Sequence, residues 1–136
     1  MKEGEVITEG PWRGFKVISV YSRAMAIKEG VLIDVTDVAG EAGIRYPVAV
    51  TSTVYNGYIE PDEKAKEQGQ DLQGRLWDTV WMLRCAISAS EPGQREVYYR
   101  LFYSLRGRRR LVTLKAVCGP GDDGEPVITI MRPEED

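Results

Sequence analysis

The chain has 136 residues, 43% of them apolar and 29% charged, with 18 Lys+Arg against 21 Asp+Glu and no histidine. A chain of this length buries enough surface to form one soluble globular domain without disulfides or a structural metal. The missing histidine excludes a histidine general base, Ser-His-Asp and Cys-His pairs, and imidazole-built metal sites, and a net charge of −3 argues against bulk attraction to nucleic acid or anionic membrane.

Met1-Lys2-Glu3-Gly4-Glu5 opens no signal-peptide pattern, and residues 1–15 read as a flexible arm. Lys16 to Tyr21 follows as a short strand or extended arm. Ser22 is placed to cap a helix over Arg23 to Glu29 that Gly30 ends. Val31 to Val35 is β-branched enough for a strand, and Thr36 is a suitable cap for a helix over Asp37 to Ala42, with Gly43 past its end. Pro47 argues against a central strand, so Arg45 to Val50 reads as an extended connection. Thr51 or Ser52 can cap a further short helix reaching about Ile59, and residues 60–70 read as an exposed polar loop.

The clearest element runs from about Asp71 to Ser88. Leu72, Leu76, Val80, Leu83 and Ile87 recur at the spacing of one helical face, which Trp77, Trp81 and Cys85 would widen, with Asp71 and Arg75 pairing on the wet side. The pattern then switches to period two. Val97, Tyr99, Leu101, Tyr103 and Leu105 share one face, and Val112, Leu114, Ala116 and Cys118 share one face of a return strand. A Gly/Pro/Asp loop leads into Val127 to Met131. The predicted fold is α+β: a C-terminal antiparallel meander packed against one long amphipathic helix, with short N-terminal helices and a strand before it.

Several blocks together resemble a known family. Tyr21-Ser22-Arg23-Ala24, Gly30-Val31-Leu32-Ile33-Asp34-Val35, Tyr46-Pro47-Val48-Ala49-Val50-Thr51, Gly74-Arg75-Leu76-Trp77-Asp78, and Leu111 through Ile130 are similar to small bacterial, plasmid and phage proteins grouped as a domain of unknown function. The resemblance implies an accessory protein of a mobile genetic element. It brings no activity, so no catalytic residue is transferred.

The local chemistry is sparse. Gly119-Pro120-Gly121-Asp122-Asp123-Gly124 satisfies G-x-G-x-x-G, but a strand follows it and its acids would repel phosphate, so it reads as a hairpin loop. The acidic loop lacks calcium-ligand spacing, which favours a solvated turn and assigns no metal. Asp34, Asp37 and Asp78 are the carboxylates that a metal-assisted hydrolase would have to bring together. Cys85 and Cys118 read as buried thiols in a reducing cytoplasm, with a disulfide as the lesser alternative.

The sharpest feature is Arg106-Gly107-Arg108-Arg109-Arg110, within a stretch from Arg95 to Lys115 that holds seven basic residues against Glu96 alone. Arg106, Arg108, Arg109 and Arg110 are the predicted partner-binding residues, on a hairpin turn that the acidic tail can neutralise within the fold or across a homodimer. A non-enzymatic role with a protein partner is favoured. Nucleic acid gripped by the same turn is the alternative, and no cofactor or membrane contact is expected.

Overall fold

The computed structural model describes residues 21–61, 63–67 and 71–135. The expected N-terminal arm, the Lys16 to Tyr21 strand apart from Tyr21, parts of the 60–70 loop and Asp136 lie outside them. A helix α1 (Arg23–Lys28) opens the described chain, capped by the Ser22 hydroxyl, which accepts from the Met25 amide at 3.0 Å. Strand β1 (Leu32–Asp34), helix α2 (Thr36–Glu41) and strand β2 (Val48–Thr51) follow.

Thr36 is not the cap expected of it. It is the first residue of α2, and its hydroxyl turns back to Asp34 and Val48, so β1 and β2 are tied where the helix leaves. Residues 45–50 also depart from expectation, because β2 occupies their second half in the middle of the sheet. Pro47 is compatible with that position because it precedes the strand and contributes only its carbonyl, which accepts from Ile128 N at 2.9 Å.

The Thr51 hydroxyl caps α3 (Ser52–Val54), which relaxes into a π-helical turn over Tyr55–Ile59. The expected loop after it contains a short helix, α4 (Glu63–Glu67), whose Glu63 and Lys66 pair at 3.6 Å. Helix α5 (Leu72–Ala89) is capped by Asp71, which accepts from Gly74 N at 2.6 Å. Strands β3 (Glu96–Leu105), β4 (Arg108–Pro120) and β5 (Pro126–Met131) complete the chain.

The meander forms as expected, and the sheet extends beyond it. Its five strands run in the order β1-β2-β5-β4-β3, antiparallel except for the parallel β2–β5 pair, with α5 packed on β3. Alternation places Tyr99, Leu101, Tyr103, Val112, Leu114, Ile128 and Ile130 on the face that meets α5, α2 and the π turn, and these residues form the core. The other face carries α1, whose Arg23 guanidinium donates at 2.7 Å to Thr129 Oγ1 and to the Ile128 carbonyl.

Helix α5 is rotated relative to its sequence reading. Leu76, Val80 and Leu83 are buried as expected, but Ile87, Trp77, Trp81 and Cys85 are exposed, and the face is widened on its other flank by Arg75 and Thr79. Arg75, 5% exposed, pairs with no wet-side Asp71. Its guanidinium donates instead to the Tyr58 carbonyl at 2.8 Å and to the Ser104 carbonyl, and the Tyr99 hydroxyl donates to Thr79 O at 3.0 Å. Burial pushes the Tyr99 and Tyr103 phenols well above their ordinary values, so both remain neutral donors.

Among the described residues strand β3 ends the sheet. Cys118 N donates to Arg95 O at 2.7 Å, which fixes the phase of the ladder: the odd residues of β3 turn their amides toward β4 and the even ones turn theirs outward. Ser104 is one of these, and its carbonyl is the one that Arg75 takes.

Candidate arginine-rich hairpin site

The predicted turn is shorter than its five residues. Leu105 already pairs with Arg108, so only Arg106 and Gly107 form the connection, with φ of 51° and 76°. Two positive φ values define the tight hairpin turn whose twist matches its strands. Glycine adopts that conformation freely, whereas a side-chain-bearing residue costs roughly 1 kcal/mol there. Arg108, Arg109 and Arg110 are strand residues opposite Leu105, Ser104 and Tyr103.

Their placement on a strand distributes the charges. Arg109 shares the outer face with Phe102, and its guanidinium lies 4.1 Å from that ring centroid. Arg110 points to the opposite face. There, with Arg106, it lines an open groove of about 810 Å³ whose walls include Tyr58, Val112, Arg132 and Glu134. Tyr58 stacks on Tyr103 with centroids 5.5 Å apart, and Arg132 lies over the Tyr58 ring at 5.3 Å while donating to its hydroxyl at 2.9 Å.

Arg132 also meets Glu134 at 3.4 Å, so one carboxylate already pairs with an arginine on the groove wall. The hydrogen bond to Tyr58 raises the Arg132 pKa further, keeping it cationic. Glu135 serves the fold instead. Burial opposes its charge, but hydrogen bonds from Thr53, the Arg132 amide and Thr51 outweigh that and hold its carboxyl below the usual range. Among the described residues, no ion pair involves Arg106, Arg108, Arg109 or Arg110. Glu134 and Glu135, expected to neutralise the turn, are engaged with Arg132, Thr51 and Thr53.

The other candidates fall elsewhere. Asp34 accepts from Thr36 N at 3.1 Å on β1, and Asp37 sits in the first turn of α2. Asp78, raised by burial, lies near Tyr103 of β3. Asp34 belongs to β1 and Asp78 to α5 beside β3, and β1 and β3 are opposite edges of a five-stranded sheet, roughly 19 Å apart as strands. Among the described residues no three His, Cys, Asp or Glu side chains gather to hold a metal ion. The Gly119 to Gly124 segment is a hairpin end, as expected, and a strand follows it. Its Asp122 is more than a solvated turn residue, because its carboxylate accepts from the Arg23 and Ala24 amides at 2.7 and 3.0 Å and caps α1 from across the fold. Those two amide bonds hold its carboxyl below the usual range.

Sequence reasoning missed Tyr58 and Arg132. Neither belongs to a motif, and only the meeting of the π turn with the end of β5 brings them to the hairpin.

The architecture defines an α+β protein with an arginine-rich hairpin beside an open groove. Residues 10–136 match a family described as "Family of unknown function (DUF6573)", and the chain belongs to that family. No curated protein and no solved structure matches it. Among the described residues no helix is long and apolar enough to cross a membrane.

Proposed function

We propose that the protein is a non-enzymatic binding module that engages an acidic segment of a partner protein through Arg106, Arg108, Arg109 and Arg110 and the adjoining groove. One observation carries this reading: the four arginines project at one hairpin end without an ion-pair partner among the described residues, and two of them face a groove whose wall already pairs a carboxylate with an arginine. The Glu134 carboxylate paired with Arg132 on the groove wall favours an acidic polypeptide over a phosphate backbone. The setting we infer is the cytoplasm, as an accessory factor of a mobile genetic element that acts by blocking or bridging. The free thiols of Cys85 and Cys118 fit a reducing compartment.

The test is fluorescence anisotropy with a labelled polyglutamate peptide and, separately, an oligothymidylate. The peptide should bind in a salt-sensitive manner, and reversing Arg108, Arg109 and Arg110 to glutamate should weaken it more than about thirtyfold. Oligothymidylate binding with a steep salt slope and no peptide binding would transfer the site to nucleic acid. No binding of either at low ionic strength would end the proposal.

A further inference from the structure

At the far end of the β3–β4 ladder from the arginine hairpin lies a half-open cleft of about 480 Å³, between the end of α5 and the segments before β2 and β3. Its floor is apolar: Ile44, Ile87, Val97, Cys118 and Ile128. Its rim is cationic. Arg45, Arg84 and Arg95 line it against Glu91, and among the described residues none of the three is in an ion pair.

Arg84 is held at this mouth by two separate contacts. Gly43, at φ +95°, lets the arginine stem pass so close that a Cβ there would stand 3.0 Å from Nε. On its other side the guanidinium lies 5.6 Å from the Trp81 ring centroid, and Trp81 stacks on Trp77 at 5.7 Å. The two exposed tryptophans thus form a platform that ends in a positioned cation.

We propose that this cleft binds an organic carboxylate with an apolar body. The volume lies within the range of about 300 to 1,000 Å³ found for small-ligand sites. A bare inorganic anion would leave the apolar floor wet, and a neutral hydrocarbon would desolvate the guanidiniums without pairing them. An amphipathic anion satisfies both surfaces. The site is separate from the arginine hairpin and does not rest on its proposed role.

The test uses decanoate as the probe, with decanol, acetate and decyltrimethylammonium as comparators, measured by titration calorimetry on the full chain. Decanoate should bind saturably and each comparator at least about fivefold more weakly. Arg84→Gln and Arg95→Gln should each weaken decanoate about fivefold and leave decanol unchanged, whereas reversal of Arg108, Arg109 and Arg110 should have no effect. Cys118 supplies a second readout in a Cys85→Ser background: decanoate at ten times its Kd should slow alkylation of Cys118 by iodoacetamide about tenfold. Equal binding of decanol and decanoate, no saturable binding, or unaltered Cys118 alkylation at saturation would each overturn the proposal.

Discussion

The two ends of the β3–β4 ladder use arginine in opposite ways. At the hairpin end, Arg106, Arg108 and Arg110 project from a tight turn and its first strand residues, with no ring contact or ion pair among the described residues. Toward the other end of the ladder, Arg84 of α5 packs between Gly43 and the Trp81 ring above an apolar floor. An unpaired guanidinium suits an extended acidic chain, since long-range attraction needs little exact geometry. A positioned guanidinium suits a small anion, because the ordering cost is already met by the fold. A third arginine, Arg75, is buried, and its bonds include two to backbone carbonyls, where it ties α5 to the π turn and β3. Surroundings, rather than residue type, divide these tasks.

The comparison can be broken most forcefully at Arg75, which joins α5 to Ser104 beside the hairpin and to the π turn. Arg75→Ala leaves the Tyr58 and Ser104 carbonyls without the guanidinium, and we expect it to cost about 3 kcal/mol in urea denaturation. At a temperature where the variant remains folded, peptide binding at the hairpin should suffer and decanoate binding should not. The next largest effect is the reversal of Arg108, Arg109 and Arg110, about 2 kcal/mol in peptide affinity with unaltered circular dichroism. It sharpens the division only if the distant cleft is untouched.

A smaller change acts on the turn itself. Arg106→Asn places a residue tolerant of positive φ beside Gly107, so stability should rise by about 0.5 to 1 kcal/mol while peptide affinity falls, and denaturation and anisotropy measured together should separate the two effects. Asp122→Asn touches neither end and should lower stability near neutral pH, with the difference from the native chain vanishing in acid. The folded pKa of Asp122 is depressed, so its stabilising contribution is present above the unfolded value near 3.9 and is lost as pH falls through the folded value. Thermal unfolding of the native chain should therefore weaken below about pH 4 more than that of the Asn variant.

Much of this fold was legible because periodicity reports burial directly. The alternation from Val97 to Leu105 and the Leu76, Val80, Leu83 stripe both face the core as read. The flank of α5 was not legible from hydrophobicity, which favours tryptophan over arginine in a core. Position gave little help: Arg75 and Trp77 lie at about equal angles on opposite flanks of the stripe, with Thr79 nearer to it and Trp81 further away. Strand β2 was hidden because a proline before a strand looks like a proline within one. The arginines of the site were readable as a run, but their separation onto two faces needed the Arg106-Gly107 turn to be only two residues long. Tyr58 and Arg132 reach the groove through long-range topology that no local pattern encodes.

Among the described residues the outer rim of β3 pairs with no further strand, and this gives the molecule an isotopic signature. Tyr99 and Leu101 turn their amides into the ladder opposite Leu114 and Val112, whereas Tyr98, Arg100 and Phe102 turn theirs outward, where no described backbone group accepts them. Deuterium should therefore enter this strand at every second position, leaving a comb of fast and slow sites along a single stretch of backbone.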